Sequence, residues 1–345
     1  MAMAVPWKKI GVGFVALVGA LLAAFITFAI GWRELLLGAR ARPLGDRRFE
    51  STPPRLERGR HLVEDVYGCF GCHSERDWTQ EGAPLKAGRE GAGHNWADYD
   101  VAWITAPNLT PDSETGIGGL TDDALARGIR EGIGHDGRVL FPIMPYQSYR
   151  RIPDEDLASI VVYLRSRAPI RNALPRSTVP FPVTLFIRKL PRPLEGPVAE
   201  PDLSTPVARG EYLVRTIDCA GCHTPRGNAG PIESLDLAGG NPAREPGSGR
   251  WVAATNLTPD PSGIPYYDEE LFVSAMRTGK VNARPLSPWM PWVFFGRVSD
   301  EDLKAIFAYL KTLPPVPHRV TNTDPPTECA RCGARHGAGD QNAAR

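Results

Sequence analysis

The residues with the most specific chemistry are Cys69-Phe70-Gly71-Cys72-His73. On one turn of helix, two cysteines three apart reach the vinyl groups of one porphyrin and form thioethers. The residue after them presents its imidazole to the iron from the same side, which is the C-x-x-C-H pattern of covalent c-type haem attachment. A bare C-x-x-C fits zinc, a redox disulfide or haem, and the His that follows narrows it to haem. The pattern returns as Cys219-Ala220-Gly221-Cys222-His223. Two covalently bound haem c groups are therefore expected, with thioethers on Cys69, Cys72, Cys219 and Cys222 and with His73 and His223 on the irons. A third pair, Cys329 and Cys332, has no His after it and lies in a Pro/Gly-rich tail. It reads as a local disulfide, a weak metal site with His336 or a decayed haem site, and a disulfide or an uninvolved pair is favoured.

What fills the sixth iron position separates electron carriers from enzymes, because methionine there raises the potential and closes the iron to outside ligands. Met144 and Met290 each have Pro two residues before and one residue after. Prolines on both sides stiffen a loop and deny it helix, as suits a loop that holds a thioether against iron. Met276 aligns with Ile129 in a helix-like segment and reads as core. His61, His94, His135, His318 and His336 do not recur and read as surface or structural residues. The second Met loop is aromatic (Trp289, Trp292, Phe294, Phe295), whereas the first has Ile143, Tyr146 and Tyr149. Burial disfavours the extra charge of ferric haem, so the second haem is expected to have the higher potential.

The elements that position these residues come as an internal repeat. Arg58-Gly59-Arg60-His61-Leu62-Val63 returns as Arg209-Gly210-Glu211-Tyr212-Leu213-Val214, just ahead of each C-x-x-C-H. Asn108-Leu109-Thr110-Pro111-Asp112 returns unchanged from Asn256, where Asn108 and Asn256 fit either a turn or a hydrogen bond to backbone or propionate. Asp154-Glu155-Asp156-Leu157 returns as Asp300-Glu301-Asp302-Leu303 and opens a helix with acidic residues in its first turn. Leu157, Ile160, Val161 and Leu164, and their counterparts Leu303, Ile306, Phe307 and Leu310, form one apolar stripe each, read as core. These helices are expected to cross the ones that lead into C-x-x-C-H.

At 345 residues and net charge +1, the chain has room for roughly two domains and nothing that suggests nucleic acid. With 35 Gly and 34 Pro it suits short helices joined by long ordered loops. The stretch Ile10 to Ile30 is free of charge and is expected to be an uncleaved transmembrane anchor, 10–31, rather than a signal peptide. Lys8 and Lys9 precede it, whereas Arg33, Arg40, Arg42, Arg47 and Arg48 follow, opposite to the positive-inside pattern. The resemblance of these motifs to c-type haem sites implies attachment outside the cytoplasm, and large domains translocate largely regardless of flanking charge, so the domains are expected on the periplasmic side of the cytoplasmic membrane. The expected order is a cytoplasmic N-terminus (1–9), the anchor, a juxtamembrane spacer (32–54), domain 1 (55–168), a Pro-rich linker (169–206), domain 2 (207–314) and an irregular tail (315–345). Nine prolines between 168 and 207 exclude one long helix there, and the apolar run 183–187 is expected to pack on the domains.

Two C-x-x-C-H motifs, two N-L-T-P-D loops, two P-x-M-P loops and two D-x-D-L helices resemble the cytochrome c subunits of membrane-bound alcohol, gluconate and related dehydrogenases. The resemblance covers roughly residues 55–315. It implies an all-α fold of two tandem class I-like cytochrome c domains after the anchor, axial pairs His73/Met144 and His223/Met290, and electron relay to quinone or a terminal oxidase. The expected activity is single-electron transfer between a dehydrogenase or quinol-oxidising complex and a terminal acceptor, with no catalytic residue of its own. A haem enzyme such as a di-haem peroxidase or thiosulfate dehydrogenase is the alternative and needs an open sixth position, contrary to Met at both equivalent places.

Overall fold

The computed structural model describes residues 7–96, 104–227, 230–323, 325 and 327–337. Most of the expected N-terminal segment 1–9 and the last residues of the tail lie outside these. The described residues form twelve α-helices: α1 (Trp7–Ile30), α2 (Trp32–Leu37), α3 (Pro53–His61), α4 (Asp122–Glu131), α5 (Tyr146–Tyr149), α6 (Asp154–Ser166), α7 (Val183–Phe186), α8 (Pro206–Thr216), α9 (Cys219–His223), α10 (Glu269–Thr278), α11 (Trp292–Phe295) and α12 (Asp300–Thr312). A π turn, Leu62–Val66, and a 3-10 turn, Cys69–Gly71, continue α3 into the first cysteine motif.

The repeat is visible as two equivalent helix crossings, α3 on α6 and α8 on α12. Each begins the same way: Thr52 and Thr205 cap their helices by accepting from Arg55 N and Ala208 N, and a proline follows. At each crossing a glycine admits the partner backbone. A β-carbon at Gly59 would lie 2.0 Å from the Ser159 carbonyl oxygen, and one at Gly210 would lie 1.9 Å from that of Ala305. Arg58 clasps Asp156 and Arg209 clasps Asp302 beside the crossings. The apolar stripes are buried as expected, with Leu157 0% and Leu303 1% exposed.

The expectation of an all-α fold is corrected. Among the described residues five two-stranded antiparallel ribbons join the helices: β1 (His94–Asn95) with β2 (Thr105–Ala106), β3 (Arg226–Gly227) with β4 (Gly230–Pro231), β5 (Pro242–Arg244) with β6 (Trp251–Ala253), β7 (Lys280–Val281) with β8 (Arg284–Pro285), and β9 (Thr327–Glu328) with β10 (Arg335–His336). Such short pairs pin Gly- and Pro-rich loops through backbone bonds, and a two-residue strand is too short to show an alternating pattern.

The expected transmembrane anchor, 10–31, is also withdrawn, and with it the single-pass placement in the cytoplasmic membrane. Although 7–30 is helical, no helix among the described residues is long and apolar enough to cross a membrane. The helix instead lies beside the linker helix α7. The arginine excess after it, set against the positive-inside pattern above, has a local account too. Arg42 pairs with Asp123 and Glu131 on α4, and Arg40 with Glu34.

Candidate haem sites

Each cysteine motif starts from a residue in the left-handed region, Gly68 (φ 53°) or Asp218 (φ 68°), which turns the chain sharply into Cys69 or Cys219. The turn then brings the histidine back over the first cysteine: His73 N donates to the Cys69 carbonyl at 3.0 Å. His73 Nδ1 lies 2.8 Å from the Pro107 carbonyl oxygen and His223 Nδ1 lies 2.6 Å from that of Thr255. A carbonyl only accepts, so in each ring Nδ1 carries the hydrogen and Nε2 keeps its lone pair for a metal. Burial pushes both imidazoles below their ordinary pKa, which keeps them neutral. Burial also pushes Cys69 and Cys219 up to about 12 and Cys222 to about 11, so these sulfurs are held as thiols.

Sequence reasoning missed Pro107 and Thr255. The available signal was their place directly before the repeated Asn108 and Asn256. These asparagines explain how the carbonyls are held. The Asn108 side-chain oxygen accepts from Thr110 N at 2.9 Å, and its amide donates to the Ile170 carbonyl at 2.7 Å. Asn256 does the same with Thr258 N at 2.9 Å and the Val316 carbonyl at 2.9 Å. Both amides also donate to a nearby hydroxyl, Thr115 or Ser262, and both oxygens accept from the Thr110 or Thr258 hydroxyl, so the loop is tied to the chain that follows each terminal helix.

The methionine loops also repeat in detail. Met144 N donates to Phe141 O at 3.1 Å and Met290 N to Ser287 O at 3.0 Å, and Pro145 and Pro291 have near-identical dihedrals (φ −82°, ψ 48°; φ −80°, ψ 49°). Cys69, Cys72, His73 and Met144 line the same cavity as Cys219, Cys222, His223 and Met290, with a volume of about 2220 Å³. That is about twice the upper end for an ordinary ligand pocket. The core stripes furnish its apolar walls, Ile160 and Leu164 on one side and Ile306 and Leu310 on the other. Met276, read from sequence as core, packs on the core and reaches this cavity as well.

The two halves interlock across the cavity. Phe294, 1% exposed in the second Met loop, seats against Gly71 of the first cysteine motif, where a β-carbon would lie 2.8 Å from its ring. Arg76 donates to the Pro288 carbonyl at 3.1 Å and stacks over Trp78, and Trp289 packs on Trp78 and edge-on to Trp96. In the opposite sense, Ser148 after the first Met loop donates to Asp218 at 2.7 Å, at the head of the second motif. Each methionine loop therefore braces the other half's cysteine turn.

Paired cysteines beside a histidine whose Nε2 is free, facing an apolar cavity with a thioether on its wall, fit haem c. Residues 207–314 match the cytochrome c family model. The chain is 28% identical over 305 residues to the cytochrome c subunit of the quinone alcohol dehydrogenase of Gluconobacter oxydans, covering 83% of this chain and 61% of that one. It is 31% identical over 291 residues to the fructose dehydrogenase cytochrome subunit of Gluconobacter japonicus, covering 80% and 56%. A diheme cytochrome c-type protein of Cereibacter sphaeroides is 28% identical over 254 residues, covering 72% and 83%. The chain thus spans about three fifths of the length of the first two subunits. Residues 207–314 match the cytochrome c family, and the chain that carries them resembles the cytochrome c subunits of bacterial alcohol, fructose and gluconate dehydrogenases.

Proposed function

We propose that this chain is a di-haem cytochrome c, the electron-transfer subunit of a dehydrogenase-type complex, passing single electrons from that partner to a quinone-linked or terminal acceptor. The observation that carries the reading is the duplicate site: each half pairs a cysteine turn and a carbonyl-locked histidine with a Pro-x-Met-Pro loop, and both open into one cavity. Haem c, when bound, supplies the one-electron couple. Cys69 and Cys72 would hold one group and Cys219 and Cys222 the other, with His73 and Met144, and His223 and Met290, as the residues that would ligate each iron. Two domains, 55–168 and 207–314, joined by the linker 169–206, carry one site each. With a histidine and a methionine for each iron, the chain would orient and shield its cofactors and would perform no bond chemistry on a substrate.

Haem and iron analysis of the full-length protein is expected to give two c-type haems per chain, and neither cyanide with the oxidised protein nor CO with the reduced protein is expected to bind rapidly. One or three haems overturns the count. Rapid ligand binding would place an open iron in the protein and favour a haem enzyme.

A further inference from the structure

The tail beyond α12 holds a cluster that the haem sites do not use. His318, Cys329, Cys332 and His336 bring one donor atom each to a single point, all four within 4.8 Å of one another. Cys329 Sγ lies 3.3 Å from His318 Nε2, and Cys332 Sγ lies 3.3 Å from His336 Nε2. A tetrahedral zinc ion with Zn–S about 2.3 Å and Zn–N about 2.0–2.1 Å separates its donors by about 3.3–3.8 Å, so the cluster needs only a small adjustment to close on one. The rings are prepared for it. His318 Nδ1 is held by the Ala238 carbonyl at 2.9 Å and His336 Nδ1 by the Arg319 carbonyl at 3.2 Å, which turns both Nε2 lone pairs inward. His318 is 1% and His336 5% exposed, and both thiols are free.

The local chain builds the site rather than scattering it. Ribbon β9–β10 sets the cysteines in its turn, closed by Cys329 N to Ala334 O at 2.9 Å and Gly333 N to Cys329 O at 2.8 Å. Leu235, Ala238 and Cys332 form a small buried apolar cluster beneath it. Gly240 leaves room for the rings, since a β-carbon there would lie 2.7 Å from His318. Two cysteine sulfurs and two imidazoles supply the four donors of a closed structural zinc site, and soft sulfur donors disfavour magnesium or calcium.

Comparison of the halves shows what such an ion would do. After α6, Ile170 and Asn172 strap the first site, the latter donating to Ala92 O at 2.8 Å. After α12 the equivalent strap is Val316 and His318, which bond Asn256 and Ala238. The first strap runs on into the linker, where Thr105 N donates to Ser177 at 2.8 Å and Leu194 N to Glu131 at 3.3 Å; among the described residues the second runs on through Asn322, bonded to Ala253, into the β9–β10 ribbon. We propose that His318, Cys329, Cys332 and His336 bind one structural zinc ion that fastens this strap over the second site.

The test is elemental analysis of the full-length haem-loaded protein, purified without a polyhistidine tag. About one zinc per chain is expected, and Cys329→Ser/Cys332→Ser should lose it with iron per chain unchanged. His336→Ala serves as a second variant should the double one fail to fold. Tryptic cleavage at Arg331 and Arg335 should quicken at least about tenfold once zinc is lost. Wild-type protein without zinc, a mass lowered by two hydrogens from a Cys329–Cys332 disulfide, or zinc kept by the variants would overturn the proposal. Zinc and iron are counted separately, so this outcome is independent of the haem count.

Discussion

A histidine ligand is only as fixed as the group behind it, and here that group is a backbone carbonyl set by an asparagine one residue on. Asn256 is fully buried and makes bonds in both directions, so Asn256→Ala removes them and leaves the Val316 carbonyl short of a donor. The expected cost is about 2 kcal/mol, read from the urea midpoint at constant slope. Asn108→Ala should behave alike, because the same bonds recur around it. At this scale the sequence was most informative for residues whose chemistry is carried in a short local pattern. The four cysteines and two histidines of the repeated motifs and both loop methionines line one cavity. Pro107 and Thr255 act through main-chain oxygens, which no side-chain pattern advertises. His318 and His336 were read as surface or structural, with His336 weighed only as part of a weak metal site: they lie apart from each other in sequence, have no counterparts in the first half, and come together only when β9–β10 folds.

Among the elements, the helix crossings were legible because an apolar stripe and a recurring glycine are both periodic signals. The ribbons and the strap before α3 were not. The segment read as a spacer is bound to α4: Arg42 reaches Asp123 at 2.7 Å and Glu131 at 2.8 Å, and Gly45 N and Phe49 N donate to Asp123 and Asp122. Arg42→Ala removes the close cation from two buried carboxylates, leaving Asp123 only Arg47 at 3.7 Å, and should cost about 3 kcal/mol at neutral pH. Burial alone would raise the Asp123 pKa. The Arg42 guanidinium and the Gly45 N–H outweigh it and hold the carboxyl below its ordinary 3.8. A depressed carboxyl contributes stability that is complete above the ordinary value and is lost as pH falls through the depressed one. The gap between wild type and variant should therefore narrow as pH drops below about 4, a trend that denaturation at several pH values will check.

For the whole molecule, the interlock changes an expectation about potentials. The aromatic residues of the second Met loop were expected to bury their own haem, yet Phe294 seats on Gly71 and Trp289 packs on Trp78 and Trp96, all in the first half. Phe294→Ala should cost about 3–5 kcal/mol and admit water beside the first cysteine turn. With both sites loaded, it should lower the potential of the wave identified by Met144→His more than that identified by Met290→His. The opposite result in a redox titration would return the aromatic loop to its own site. Periodicity within each half could not disclose this contact, since it joins residues more than 200 positions apart. The reciprocal bracing also bears on how the protein is made. Cys72 and Cys222 face the cavity, and each attachment turn is walled in part by the opposite half's methionine loop. On the di-haem reading, a porphyrin filling this cavity is enclosed by both halves, so both attachments are expected to precede the closure of the halves on each other.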